Sequence, residues 1–176
     1  MGTIKKPELV KLFAGLIASS EEQLTGALSG LEKKFGKIDV KSPCVNFDFT
    51  DYYAAEMGGG LLRLWAGFEP LADPSALAGI KIATNEMEAE HSSEGKRSVN
   101  IDPGYITPAK VVLASSKDFS HRLYLSGGIY GEVTLMYRRN SFEALEWTYP
   151  DYKSKPALDF FTALRKIFRE QLKTNI

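Results

Sequence analysis

The chain has 176 residues, which is the length of about one domain. Its hydrophobic fraction of 44% and charged fraction of 25% are typical of a globular protein and exclude disordered and collagen-like chains. Lys and Arg total 22 and Asp and Glu total 22, so the zero net charge argues against a protein dedicated to binding duplex nucleic acid.

The predicted elements begin with a buried strand and a helix. Residues 10–17 (VKLFAGLI) are almost continuously apolar and are bounded by polar residues, which favours a buried strand. A capping box of Ser19 and Glu22 predicts the start of the helix, and Gly36 predicts its end. The apolar positions between them recur at helical spacing: Leu24, Ala27, Leu28, Leu31 and Phe35.

The next two predicted strands carry polar side chains on one face. Residues 45–50 alternate, so that Asn46, Asp48 and Thr50 point away from the apolar positions. A triple-glycine turn at 58–60 leads into residues 61–68, where Arg63 and Trp65 oppose the apolar side.

A second helix is predicted to begin at Asp73 and Pro74, a capping residue followed by proline in the first turn. Lys81, Asn85 and Glu88 lie at i, i+4 and i+7 on one side of this helix. We interpret them as a solvated face, with a functional face as the alternative.

The C-terminal half predicts more strands and a closing helix. A polar loop at 91–96 ends the second helix, and a glycine-rich turn at Gly127 and Gly128 predicts a hairpin. The strands are expected at residues 97–102, 111–114, 122–125, 132–137 and 142–149. Pro156 begins the last helix.

The order of the first six elements is strand, helix, strand, strand, helix, strand. This is the ferredoxin-like order, and it predicts an α+β fold in which an antiparallel sheet carries helices on one face. A hairpin extension and a C-terminal helix complete a single domain over residues 1–176, since no linker or repeat interrupts the chain. No apolar run is long enough for a transmembrane helix, and Lys11 interrupts the only stretch that resembles a secretory signal. We therefore expect a cytoplasmic protein without a membrane partner.

The familiar catalytic and cofactor motifs do not occur in the sequence. There is no Gly-rich phosphate loop with Lys and Ser or Thr, and no G-x-S-x-G nucleophile motif. One cysteine, Cys44, and two histidines give no zinc-ligand spacing, and Cys44 is expected to be a free thiol. The abundant carboxylates leave a divalent metal such as Mg²⁺ open as a cofactor. No catalytic residue is assigned, and whether the protein is an enzyme stays undecided.

The candidate ligand-binding site comes from the polar faces of the strands. Asp and Asn are poor strand formers, so several mid-strand copies need a local reason. Carboxylates opposite arginines in a cleft commonly hold a polar ligand, whereas cross-strand ion pairs on an open face are the alternative. The seven candidate residues are Asp48, Glu56, Arg63, Asn100, Asp102, Arg122 and Glu132. If they converge, some of the carboxylates should have shifted pKa values.

Five stretches of the chain carry a family resemblance. They are VKLFAGLI, NFDFTDYYAAEMG, NIDPGYIT, HRLYLSGGIYGEVTLMY and WTYPDY. Over about residues 7–169 the chain resembles a family of short bacterial proteins catalogued as a domain of unknown function (number four-four-one-six). Members are often labelled GTP-binding, but the resemblance implies no established activity. All the candidate site residues except Arg63 fall within these stretches.

Two functions are compatible with this pattern. The first is a pocket on the polar sheet face for a phosphorylated or nucleotide-like small molecule. The second is a non-catalytic interaction module for a protein or RNA partner, in which Trp65 and Tyr124 would stack on single-stranded bases. The sequence does not predict the oligomeric state.

Overall fold

A computed structural model of the chain describes residues 2–93 and 95–174, so Glu94 of the predicted 91–96 loop lies outside the described residues. The strands are β1 (Val10–Ala18), β2 (Ile38–Lys41), β3 (Val45–Asn46), β4 (Leu62–Ala72), β5 (Ser92–Ser93), β6 (Lys96–Arg97), β7 (Val99–Ile106), β8 (Lys110–Ser115), β9 (Leu123–Ser126), β10 (Ile129–Arg138) and β11 (Ser141–Ala144). The helices are α1 (Glu21–Phe35), α2 (Ala54–Met57), α3 (Leu77–Glu90) and α4 (Lys155–Thr174).

The main sheet has the order β11-β10-β8-β7-β1-β4-β2, with β3 added to β4 and β9 added to β10. Each of these pairings is antiparallel. The predicted α+β class with an antiparallel sheet is therefore confirmed. β5 and β6 form a separate short hairpin in the segment that the sequence predicts as a loop.

Helices cover both faces of the sheet, so the prediction that they lie on one face is wrong: α4 packs on the face opposite α1 and α3. α1 and the C-terminal half of α3 pack on one face around Leu16, Leu31 and Met87. α4 packs on the other face, where Phe161 and Leu164 contact a cluster that includes Phe13. A strand that is buried on both sides has no polar face, which explains the continuous apolar run of β1. The sequence pattern does not indicate which face α4 covers.

Lys11, the charged residue in this apolar run, is fully buried in β1. Its Nζ donates hydrogen bonds to Asp39 Oδ2 at 2.6 Å, to the Phe68 carbonyl at 2.7 Å and to Gln171 Oε1 at 3.0 Å. A buried ammonium needs such partners, because an unpaired charge in the interior is very costly. Lys11 therefore ties β1 to neighbouring strands and to α4.

Several predicted boundaries differ from the structure: β7 runs to Ile106, β11 ends at Ala144, and β2 has no counterpart among the predicted strands. The N-cap of α1 is Ser20, whose hydroxyl accepts a hydrogen bond from the Gln23 amide, so the capping box at Ser19 is wrong. β3 ends at Asn46 instead of continuing to residue 50. The Phe47 amide still donates to the Leu61 carbonyl at 2.7 Å and its side chain packs with Ile17 and Met57, but residues 47–53 form no regular strand.

The sheet opens between β7 and β8. These strands pair only at residues 104–106, which face residues 111–113. In a β-strand, the backbone N–H and C=O groups of residues i and i+2 point to the same edge. Pro103 therefore faces the same edge as Tyr105, which is the edge that pairs with β8. Proline has no N–H to donate and cannot extend the ladder. The strands therefore separate at Pro103 and leave an edge of β7 free beside α3.

In the part of the chain that the structure describes, no helix is both long enough and apolar enough to cross a membrane.

Candidate functional site

A cavity of about 670 Å³ lies where β7 and β8 separate. Its walls come from α3, from β7 and β8, from the aromatic segment 47–53 and from the turn that precedes α4. The opening of the sheet thus exposes the polar faces of several strands to one cavity.

Five of the seven candidate residues line this cavity: Arg63, Asn100, Asp102, Arg122 and Glu132. Glu56 is not in the lining, but it forms an ion pair with the lining residue Arg97. Asp48 is exposed and lies outside the lining, because β3 ends before it and the alternation no longer applies. Binding of a ligand by these residues stays a prediction.

Arg63 is the most deeply buried of the candidates, with 1% of its surface exposed. Its Nη2 lies 2.8 Å from Asp151 Oδ2, and its guanidinium lies 4.4 Å from the Trp65 ring centroid and 5.1 Å from that of Tyr152. The absence of a side chain at Gly15 makes room for this arrangement: a Cβ there would lie 2.7 Å from Tyr152 Oη and 2.9 Å from Arg63 Nη2. Because Gly15 has no side chain, the charged side chain of Arg63 fits at the centre of the sheet.

Asp102 is the carboxylate of the cavity floor that a ligand can reach. Its Oδ2 accepts a hydrogen bond from Asn100 Nδ2 at 2.8 Å, and its Oδ1 accepts one from Lys81 Nζ at 3.3 Å. The Asp102 side chain is 30% exposed, whereas those of Glu88, Glu132 and Asp151 are 5%, 1% and 8% exposed.

The free edge of β7 is capped by α3. Lys81 Nζ donates to the Ile101 carbonyl at 2.8 Å, and the Ile101 amide donates to Glu88 Oε1 at 2.7 Å. The interpretation of Lys81 and Glu88 as a solvated face is therefore wrong, since both are buried and both line the cavity with Asn85. Burial raises the pKa of Glu88, although Lys81 and the hydrogen bonds to the carboxylate oppose the shift.

Arg97 joins three acidic or amide groups at one end of the cavity. It donates to Glu56 through Nε at 2.7 Å and through Nη2 at 2.8 Å, to Glu88 Oε2 at 2.6 Å and to Asn100 Oδ1 at 3.3 Å. The hydrogen bonds from Arg97 hold the pKa of Glu56 below its ordinary value. This network fixes the β5–β6 hairpin against α2 and α3.

Arg122 organises the opposite side of the cavity. Its Nε donates to Glu132 Oε2 at 2.7 Å, its Nη1 to Ser115 Oγ at 2.9 Å and its Nη2 to Tyr149 Oη at 2.6 Å. His121 Nε2 also lies 3.0 Å from Glu132 Oε2. Carboxylates and arginines thus form ion pairs around the cavity, and the binding of a ligand by them stays a prediction.

An aromatic wall with a lysine at its edge closes the cavity. The wall consists of Phe47, Phe49, Tyr52 and Tyr53. Lys117 Nζ donates to Tyr52 Oη at 2.7 Å and lies 4.4 Å from the centroid of that ring. Trp65 does not belong to this wall and is fully buried, so the predicted stacking of Trp65 on RNA bases is wrong.

Several lining residues are absent from the predicted site: Lys81, Glu88, Arg97, Lys117 and Asp151. The i, i+4, i+7 spacing in α3 was the only signal for the first two, and periodicity alone does not distinguish solvent from a strand edge. Within residues 2–93 and 95–174, no group of three His, Cys, Asp or Glu side chains is arranged to hold a metal ion. Cys44 is an exposed free thiol, as predicted.

Comparison with known proteins gives one match. The model of a family described as a domain of unknown function (DUF4416) matches residues 8–168. Searches of curated proteins and of solved structures gave no match.

Proposed function

Since the chain belongs to the DUF4416 family, whose description assigns no activity, we propose from the site itself that the protein binds a small phosphorylated or nucleotide-like molecule in the cavity. The observation that carries this proposal is the cavity of about 670 Å³ with an aromatic wall, a charged floor and a lysine at its edge. Small-molecule sites commonly have volumes of about 300–1,000 Å³ and combine aromatic side chains with a few polar groups.

The charge distribution supports a ligand with one phosphoryl group. Five lining side chains are cationic, and four of them form ion pairs with carboxylates. Lys117 is the fifth, and no carboxylate within 4 Å pairs with it among the described residues. A single phosphoryl group at Lys117 would add one charge-assisted contact, whereas a triphosphate would leave most of its charge unpaired. The balance therefore favours a monophosphate.

The aromatic wall supports a ligand with a ring. Tyr52 and Tyr53 make an edge-to-face pair with ring centroids 5.0 Å apart, and Phe47 and Phe49 lie 5.7 Å from each other. Aromatic faces of this kind bind flat rings and the apolar faces of sugars, because both present weakly polar surface. A ring at the wall and a phosphoryl group at Lys117 together describe a nucleotide-like or sugar-phosphate ligand.

We expect Lys117→Gln to weaken binding of a phosphorylated ligand roughly tenfold, or about 1.4 kcal/mol. The substitution keeps a polar side chain, shorter by one atom, but removes the charge that the phosphoryl group would meet. The measurement is a thermal-shift screen of phosphorylated compounds, in which a ligand at 100 times its Kd adds about 2.7 kcal/mol, followed by calorimetry. Lys153→Gln, at an exposed lysine outside the cavity lining, serves as the control. Equal affinity in both variants would contradict the role of Lys117.

A cytoplasmic location belongs to the same proposal, since an exposed free thiol such as Cys44 suits a reducing compartment.

An interaction module for a protein or RNA partner is the second candidate. The observation that favours it is β9, where Leu123, Tyr124 and Leu125 are 76%, 62% and 42% exposed on a strand that pairs with β10 alone among the described strands. Exposed apolar edge strands are often binding surfaces. If this candidate is right, single-stranded RNA or a protein partner should bind the wild-type protein in a mobility-shift assay. The Tyr124→Ala variant should bind the same RNA or protein more weakly.

A further inference from the structure

The cavity floor contains buried hydrogen-bond donors that have no acceptor. Arg63 Nε, Arg63 Nη1 and Tyr152 Oη are all buried without a hydrogen-bond partner, and so is Nε1 of the adjacent Trp65, which is not part of the lining. Buried polar groups are nearly always paired, and each unpaired one costs about 1–3 kcal/mol. Arg63 and Tyr152 both belong to the lining, so a ligand group that enters between them can supply the acceptor that these atoms lack.

An incompletely used acceptor lies beside these donors. Asp102 is the cross-strand partner of Gly15, over which Arg63 and Tyr152 lie. Directly opposed residues on one face of a sheet have their Cβ positions about 4.5–5.5 Å apart, so the Asp102 carboxylate borders the same spot. Each of its oxygens accepts one hydrogen bond from a side chain, from Asn100 or from Lys81, and each carboxylate oxygen has room for another.

The floor carries no excess charge. The guanidinium of Arg63 is paired with Asp151, and the ammonium of Lys81 with Asp102. A second phosphoryl group there would meet two carboxylates as well as the arginine, whereas a neutral group would meet no such repulsion. The group that fits must therefore be neutral, and it must donate to Asp102 while accepting from Arg63 or Tyr152. A hydroxyl does both.

We infer that the floor formed by Asp102, Arg63 and Tyr152 binds a vicinal pair of sugar hydroxyls. This inference rests on the proposed function and makes its ligand more specific: a phosphorylated sugar, free or as part of a nucleotide, whose phosphoryl group meets Lys117. Two adjacent hydroxyls match the two carboxylate oxygens of Asp102, one for each oxygen. A site with unpaired buried donors and acceptors discriminates strongly against a ligand that lacks the matching hydroxyl.

The test compares ribose 5-phosphate with 2-deoxyribose 5-phosphate by calorimetry on the full chain. The two probes carry the same phosphoryl group and differ by one hydroxyl of the vicinal pair. We expect the deoxy sugar to bind wild-type protein at least tenfold more weakly. In Asp102→Asn this preference should fall below about threefold, because one acceptor oxygen is replaced by a donor.

Tyr152→Phe provides a second variant that separates binding from folding. It removes an unpaired buried hydroxyl, so without a probe the variant should melt no lower than wild-type protein. It should nevertheless bind ribose 5-phosphate more weakly. Tyr105→Phe, which removes a hydroxyl outside the cavity lining, should leave the preference unchanged.

The outcomes distinguish this inference from the proposed function. Equal affinity of wild-type protein for the two sugars would overturn the hydroxyl site while leaving phosphate binding at Lys117 intact. Full retention of the preference in both Asp102→Asn and Tyr152→Phe would overturn it as well. If neither sugar binds but another phosphorylated compound does, only the hydroxyl site fails. If no phosphorylated compound binds, both fail.

Discussion

Asp151→Ala is expected to lower the free energy of unfolding by about 3–5 kcal/mol, the usual cost of breaking a buried ion pair from one side. Asp151 Oδ2 lies 2.8 Å from Arg63 Nη2. The other two guanidinium nitrogens of Arg63, Nε and Nη1, have no hydrogen-bond partner. The substitution would leave a fully buried guanidinium without any counter-charge in hydrogen-bond contact. Stacking of Arg63 on Trp65 and Tyr152 offsets only part of that loss.

Urea denaturation at neutral pH measures this effect. The matched control is Asp159→Ala, which removes an exposed carboxylate from an i, i+4 pair with Lys155 and should change the stability too little to resolve. A double variant, Arg63→Met with Asp151→Leu, should be more stable than Asp151→Ala, because it removes both charges together. A loss below about 1 kcal/mol in Asp151→Ala would show that Arg63 does not depend on this partner.

Glu88→Ala should have a comparable effect, with a loss of about 3 kcal/mol. Glu88 accepts hydrogen bonds from the Ile101 amide and from Arg97, and it lies 3.8 Å from Lys81. Removal of the Glu88 carboxylate leaves the buried Ile101 N–H without an acceptor. It also removes a negatively charged partner of Arg97 and Lys81. Because these contacts fix the free edge of β7, we also expect weaker binding of any cavity ligand.

The pH dependence of Glu88→Gln provides an independent check on the same residue. Burial raises the pKa of Glu88 above its ordinary value of 4.5, so its protonated form is favoured in the folded state. The stabilisation from that proton is present below pH 4.5 and is lost as the pH rises through the raised pKa. Wild-type protein should therefore lose stability relative to Glu88→Gln as the pH increases above 4.5. Parallel curves of unfolding free energy against pH would contradict this.

The sequence predicts best the elements whose burial is simple. β1 is recognisable because both of its faces are apolar, and α4 because its stripe of Phe161, Leu164 and Phe168 faces one cluster. Asp48 lies outside the cavity lining because β3 ends at Asn46, although the alternation in the sequence continues beyond that residue. The alternation of polar and apolar residues in the sequence does not predict the residue at which a strand stops pairing with its neighbour.

The cavity itself depends on a tertiary relation. Proline in a strand marks an edge or a break in the ladder, which agrees with the separation of β7 and β8 at Pro103. What the proline does not indicate is that α3 would place Lys81 and Glu88 against the exposed edge. The sequence pattern suggests a solvated face for Lys81 and Glu88 because the strand edge that they contact, at Ile101 of β7, belongs to a different part of the sequence.

The most direct test of the central claim is an NMR titration of ¹⁵N-labelled full-length protein with ribose 5-phosphate. If the cavity binds a phosphorylated small molecule, saturable amide shift changes should occur at Tyr53, Asp102 and Lys117, with none along β9. Changes confined to β9 would contradict the account, and so would the absence of saturable changes at all three cavity residues both with ribose 5-phosphate and with every phosphorylated compound that stabilises the protein in the thermal-shift screen.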